Sequence, residues 1–305
     1  MIKSALAACI LIMPAIHAAT VVVTATQDTT LHEITPNGNM GGAIHVAVGA
    51  IRIESSPGTL GRARGLFRFD LAGRVPADAT VTAATVNLSV VLNPGGPGSN
   101  FSLHRVLKPW GEGTKTAAGI NAQPASDGEA NWIAPQSPSP TWTGVGASDE
   151  ADAVPQGSSA AFMSANGRYA IPSTAALVAD VQSWLANPAS NHGWLLRSDA
   201  EETGQTVRQF GSREREAIQV NTAPTLEITY TETAPEIRIV EFRVVENNRL
   251  FLRWTGGLPP FQVEFSTRPD TGWDVITSSL NVREATVNVP VPESFFRIVS
   301  FPVGN

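Results

Sequence analysis

Residues 64–98 read RGLFRFDLAGRVPADATVTAATVNLSVVLNPGGPG. GLFRFDL (65–71) and TVTAATVNLSVVL (80–92) alternate or run apolar with period two, and NPGGPG breaks the pattern. Period two is the strand repeat, and the same signal continues outward on both sides. VVVTAT (21–26) and IHVAVG (44–49) precede it, while FSLHRVLKPW (101–110), TVRQFGSRE (206–214) and APTLEITYT (223–231) follow it. The bulk numbers agree. Of 305 residues, 42% are hydrophobic and only 16% charged, with 26 Gly and 22 Pro to supply turns. The chain reads as all-β, and its length allows two domains.

One segment breaks the strand pattern. In STAALVADVQSWLAN (173–187), Leu177, Val181, Trp184 and Leu185 recur at spacings of three and four, which predicts a short helix with these residues on its buried face. Ser173 or Thr174 caps its start, Asn187-Pro188 ends it, and GWLLRS (193–198) returns to strand. Residues 111–160 are different again, an irregular excursion rich in Gly, Ala, Ser and Pro. Long loops on rigid sandwiches often carry binding function. After ETAPE (232–236) come six short strand patterns in about 70 residues, EIRIVEFRVV, NRLFLRWTGG, FQVEFST, WDVITSS, EATVNVP and ESFFRIVSF. They predict a small β-sandwich of immunoglobulin or fibronectin type III character at 235–305, following a jelly-roll-like sandwich with one short helix at 19–232.

The first residues, MIKSALAACILIMPAIHAAT, carry Lys3, an apolar run from Ala5 to Met13 and then small residues. This is the pattern of a secretory signal peptide, 1–18, cleaved after Ala18. The run is too short for a membrane anchor, so no membrane insertion is expected. Leu6-Ala7-Ala8-Cys9 has the look of a lipid-attachment box, but it precedes the end of the apolar run and leaves almost no leader. Cys9 is the only cysteine and leaves with the signal, so stability must come from burial rather than disulfides. Loss of Lys3 takes the formal charge from −6 to −7, which argues against nucleic acid as a partner.

Six ordered blocks resemble the DNRLRE family, jelly-roll-like modules related to carbohydrate-binding modules that recognise alginate. They are DTTLHEITPNGNMGG (28–42), RGLFRFDLAGRVPADATVTAATVNLSV (64–90), HRVLKPWGEG (104–113), GEANWIAP (128–135), DVQSWLANPASNHGWLLRS (180–198) and FGSRE with APTLEITY (210–230). The resemblance implies a secreted module that binds polysaccharide or serves a surface role, usually within a larger protein. The C-terminal part looks like the fibronectin-type modules often appended to such proteins. The family's best-understood ligands are polyanionic, yet no lysine follows Lys115. Recognition of an acidic glycan would fall to arginines; otherwise the ligand is neutral.

For chemistry, the chain lacks an HExxH pair, a Gly-x-Ser-x-Gly elbow and a phosphate loop. His32, His45, His104 and His192 are widely spaced and flanked by apolar strand residues, which predicts packed or surface roles. The acidic pairs Asp149-Glu150 and Glu201-Glu202 read as solvated loop charges rather than a glycosidase pair. The sequence therefore predicts no catalytic residues.

Exposed aromatics that stack on sugars, and planar arginine donors, point to glycan binding. Trp132 and Trp142 lie in the excursion and are the expected platform. Arg64, Arg68, Arg197 and Arg208 are expected to form a basic strip if they alternate onto one sheet face. Asn191 and His192 are the outward groups of the helix–strand turn, where Trp184 is expected in the core. Arg213, Glu214, Arg215 and Glu216 alternate in sign and are expected to pair with one another. Asp28, Glu33, Asn37 and Asn39 surround a Gly-rich turn and offer hard oxygens that suit calcium, the alternative being that Asn-Gly supplies positive φ for a tight turn. No other cofactor is indicated. The expected function is a secreted, non-catalytic module binding an acidic or neutral polysaccharide. The alternatives are a structural or adhesive surface module contacting other cell-surface proteins and, more distantly, a polysaccharide-degrading enzyme.

Overall fold

The computed structural model describes residues 16–52, 60–116, 122–246, 248–289, 291 and 294–300. Most of the expected leader, 1–18, lies outside the described residues. No helix among them is long and apolar enough to cross a membrane. The chain divides into two compact units, Thr20–Tyr230 and Thr231–Asn305, the latter grouped with residues 1–19.

The first unit is built from β1 (Ile16–Thr24), β2 (Gln27–His32), β3 (Gly38–Asn39), β4 (His45–Arg52), β5 (Leu60–Arg68), β6 (Thr80–Leu92), β7 (Ser99–Arg105), β8 (Gln123–Pro124), β9 (Ser159–Met163), β10 (Gly167–Ile171), β11 (Trp194–Ser198), β12 (Arg208–Gly211) and β13 (Thr225–Thr233). The strands pair in the order β1-β13-β6-β12-β4-β5-β11-β7-β9, with β10 added to β6 and β2 to β5. Strand β4 links the two halves of this array. His45–Val48 pair with β12, and Gly49–Arg52 with β5. Gly49, at the switch, has φ of 118°, a conformation that side chains rarely adopt. Phe101 of β7 meets Phe210 of β12 edge to face at 5.4 Å, so the two halves close face to face into a sandwich. The all-β sandwich that the period-two runs predict is what forms.

Helix α1 (Ala175–Ala186) is the one α-helix among the described residues. Thr174 caps it, its hydroxyl accepting from Leu177 N at 3.0 Å. Leu177, Val181, Trp184 and Leu185 are buried, as their spacing predicts, and Trp184 packs on Trp194 with ring centroids 4.4 Å apart. Asp180 shares the buried face because Trp194 Nε1 donates to its Oδ2 at 2.9 Å and Ser158 Oγ donates to the same oxygen at 2.5 Å.

The second unit holds β14 (Arg238–Val245), β15 (Arg249–Thr255), β16 (Phe261–Ser266), β17 (Asp274–Leu280), β18 (Glu284–Asn288) and β19 (Phe295–Ser300). They form two three-stranded sheets, β14-β15-β18 and β17-β16-β19. Alternation along β15 buries Leu250, Leu252 and Trp254, which meet Phe261, Val263 and Val287 in one core. The two three-stranded sheets share this core as a small β-sandwich.

Candidate functional site

Arg62, Arg64, Leu66 and Arg68 of β5 alternate onto one face of the sheet, and the register places Leu195 of β11 opposite Leu66 and Leu31 of β2 opposite Arg64. Arg197, two residues beyond Leu195, shares that face. Three of the four expected arginines therefore lie together, whereas Arg208 sits on β12 in the other half of the array.

The face is not an open basic strip. The 111–160 excursion covers it, and Trp132 and Trp142 pack with Leu31, Leu66, Trp110 and Leu195 in a satellite core. Trp132 is 4% and Trp142 3% exposed, so neither is a stacking platform. Leu31, Leu66 and Leu195 would otherwise face water, and the indoles cover them. Their polar groups are used internally as well. Trp142 Nε1 donates to Asn131 O at 3.0 Å, and the Arg64 guanidinium lies 5.3 Å from the centre of the Trp132 ring. Buried Arg64 spends its donors on Glu201, through Nε at 2.9 Å and Nη2 at 2.8 Å, and on Gly146 O at 2.7 Å. Glu201, expected as a solvated loop charge, is buried as Arg64's counter-ion, while Glu202 stays exposed. Half-buried Arg197 comes within 3.8 Å of Glu201, and Arg68 donates to Gln27 Oε1 at 3.3 Å. Arg208 is fully buried, and its terminal nitrogens donate to the carbonyls of Gly96, Pro97, Thr206 and Val207, which ties the 94–98 turn to β12.

Of the two turn residues, Asn191 is buried and His192 half-buried. Buried Asn191 donates to Phe69 O at 2.8 Å and accepts from Gly193 N at 3.2 Å, and the His192 carbonyl accepts from Trp110 Nε1 at 2.8 Å. Burial lowers the pKa of His192, with Arg68 adding to the effect.

The four residues expected around calcium do not converge. Glu33 is bound to Arg62, its Oε1 accepting from Nη2 at 2.6 Å, and this hydrogen bond lowers its pKa. Buried Asn39 donates to Glu112 O and Ala130 O, while Asn37 is exposed. Gly38 is not at positive φ either. It lies in β3, where an added Cβ would meet Ala122 Cβ at 2.4 Å, so close approach to β8 demands the glycine. Asp28 joins a different group, with Glu112 and Glu214.

That group brings together three blocks far apart in sequence, Asp28-led β2, the WGEG turn and FGSRE. Arg213 N donates to Asp28 Oδ2 at 2.8 Å, and Asp28 N donates to Glu112 Oε1 at 2.7 Å. The Arg213 guanidinium holds Glu112 through Nε and Nη2, both at 2.8 Å, and reaches Glu214 at 2.9 Å. Burial pushes the Asp28 carboxyl well above its ordinary pKa, against the lowering effect of the Arg213 amide. The expected sign-alternating surface pairs are thus only partly formed. Arg213 reaches across to Glu112, and Glu216 accepts the backbone N–H groups of Asn221, Thr222 and Ala223.

A separate groove of about 120 Å³ lies where β4 meets β12, with Ala47 directly opposite Gln209. Its walls include Ile51, Val207, Met40 and Pro94. Arg52, Gln205, Gln209 and His32 supply its polar side chains. Among the described residues, the Arg52 guanidinium and the two glutamine amides have no hydrogen-bond or ion-pair partner. His32 is 1% exposed, its Nδ1 is 2.8 Å from Thr35 Oγ1, and its Nε2 is buried with no partner. Burial lowers the His32 pKa to about 4, so the ring is neutral at physiological pH. Sequence reading missed Arg52, Gln205 and Gln209, because no motif or period marks glutamines on a strand end and a loop. The groups Glu112, Ser212, Arg213 and Glu214 were within reach, since they sit in the quoted WGEG and FGSRE blocks.

No family model matches the chain, and no curated protein matches it. Among solved structures, the glycoside hydrolase domain of Endo-D from Streptococcus pneumoniae is similar at 6% identity and TM-score 0.14, over 92% of this chain and 32% of that one. A beta-1,2-glucanase from Parabacteroides distasonis is similar at 9% identity and TM-score 0.18, over 94% and 34%. The chain spans about a third of the length of either, and likeness at this level carries no argument for fold or activity.

Proposed function

We propose that this is a secreted, non-catalytic module that binds polysaccharide in the groove between β4 and β12. The observation that carries this reading is the convergence of unpaired planar donors on an apolar floor. Arg52, Gln205 and Gln209 are free to meet sugar hydroxyls, or a carboxylate at Arg52, while Ile51 and Val207 supply an apolar wall. Buried His32 Nε2 adds a neutral polar group whose hydrogen bond is unmade, and leaving such a group unpaired costs about 1–3 kcal/mol. Among the described residues, the groove lining contains no carboxylate, whereas glycosidic hydrolysis ordinarily needs two. That supports binding without turnover.

The test is retardation of the secreted protein in native gels cast with acidic or neutral polysaccharides, beside assays for reducing ends and unsaturated products. Retention without product is expected. The double variant Arg52→Ala/Gln209→Ala should weaken retention by roughly tenfold or more, since each lost hydrogen bond is worth about 0.5–1.5 kcal/mol. Undiminished retention in that variant would remove the groove from the proposal, and product release would overturn the non-catalytic reading. A structural or adhesive surface module is the second reading. The burial of Trp132 and Trp142 as loop-packing groups favours it, and absence of retention on every polysaccharide would select it.

A further inference from the structure

We propose that strand β14 pairs antiparallel with β14 of a second copy of this chain, joining two three-stranded sheets edge to edge about a two-fold axis at Phe242. Strand β14 ends the sheet order β14-β15-β18, and among the described residues no strand pairs with its outer edge. Such an edge presents a row of backbone N–H and C=O groups ready to take another strand. The register with β15 sets Phe242 opposite Leu252 and Val244 opposite Leu250, so all four share the core-facing side of the sheet. Leu250 and Leu252 are buried, whereas Phe242 and Val244 are 53% and 66% exposed. Val240, at the bulge between Ile239 and Glu241, is 58% exposed. The core thus runs out to an uncovered apolar margin along β14.

Charge complementarity along the same stretch selects the occupant. Residues 238–246 read RIVEFRVVE, and reversing them exchanges each charge for its opposite and each apolar residue for another. In an antiparallel pair centred on Phe242, that ring meets its own counterpart and Val240 meets Val244 of the second copy. Glu241 meets Arg243, and Arg238 meets Glu246. A two-fold axis makes each of these unlike contacts twice, so one stretch supplies both halves of the interface. Other registers are worse. A shift of two residues sets Arg243 against Arg243 or Glu241 against Glu241, and like charges directly opposite repel. A slip of one residue puts the two apolar margins on opposite faces of the joined sheet. Within its own chain Glu241 accepts from Arg243 at 3.1 Å and from Arg253 at 3.0 Å. Ion pairs at the surface are weak, so exchanging one of them across the axis costs little. Pairing of strands this short buries less than the roughly 1,200 Å² of a stable interface, which makes the dimer a weak one. This surface belongs to the second unit and does not depend on the groove of the first.

Sedimentation velocity of the purified protein between about 1 μM and 1 mM spans the affinities of weak complexes and tests this. The expected result is a reversible monomer–dimer equilibrium with a Kd of roughly 10–100 μM. Val244→Lys, a change at an exposed side chain, should leave Tm unchanged and abolish the dimer. Glu241→Arg and Arg243→Glu each set like charges against one another across the axis and should weaken association by roughly tenfold or more. The double variant Glu241→Arg/Arg243→Glu restores opposite charges and should recover dimerisation, a rescue that damage to the monomer would not give. Circular dichroism checks that each variant is folded; if a single reversal is not, wild type, Val244→Lys and the double variant decide. A wild type that stays monomeric across the whole range overturns the proposal. A dimer unchanged in Val244→Lys forms elsewhere and overturns it equally, and a double variant that fails to dimerise overturns the register centred on Phe242.

Discussion

Replacing Trp132 by alanine tests whether the excursion is a binding loop or a lid over core. The indole lies among Leu31, Leu66, Trp110, Trp142 and Leu195, with the Arg64 and Arg62 guanidinium groups 5.3 and 5.6 Å from its ring centre. Gly146 lies flat against the same ring, where an added Cβ would come within 2.5 Å of it. Burying about 150–250 Å² at 25 cal/mol per Å² gives roughly 4–6 kcal/mol as an upper figure, and measured Trp→Ala changes in cores run at about 3–5 kcal/mol. For a unit of this size, each kcal/mol shifts Tm by about 2–4 °C, so Trp132→Ala should lower it by roughly 6–20 °C. Differential scanning calorimetry reads the shift directly, and the transition of the first unit is the one that should move. A variant with unchanged Tm but weakened polysaccharide retention would refute the burial argument and restore the platform.

Removing Arg64 alone, as Arg64→Met, strands Glu201 in the interior and should cost about 3–5 kcal/mol in urea unfolding, while adding Glu201→Leu should recover part of the loss. A double variant less stable than the single would contradict this. Asp180→Ala leaves Trp194 Nε1 and Ser158 Oγ without their acceptor and should destabilise by about 2–4 kcal/mol, read by tryptophan fluorescence; a loss under 0.5 kcal/mol would refute it. His32 has a folded-state pKa of about 4 against 6.5 in the unfolded chain, so the unfolded state takes up the proton first as pH falls. Its contribution is intact above pH 6.5 and is lost progressively down to about pH 4. Against His32→Gln, wild type should therefore lose up to about 3 kcal/mol across that window, and parallel stability–pH curves would refute the assignment.

Repeating patterns were legible in the sequence. Period-two runs gave the strands, the three- and four-residue spacing of Leu177, Val181, Trp184 and Leu185 gave α1 and its buried face, and Thr174 was one of two capping candidates. These signals are local, because backbone geometry sets the repeat and solvent sets which side of it is apolar. Trp132 and Trp142 carried no such repeat, and irregular sequence around a tryptophan says nothing about what covers it. Only the folded chain brought the excursion onto Leu31, Leu66 and Leu195. Charge followed the same division. Alternation placed Arg64 and Arg197 on one face, but the pairing of Arg64 with Glu201, 137 residues away, was decided only by the fold. Asp28 was visible as a hard-oxygen group, yet its neighbours Glu112 and Glu214 come from 84 and 186 residues downstream. Sheet order, not spacing, puts them beside it.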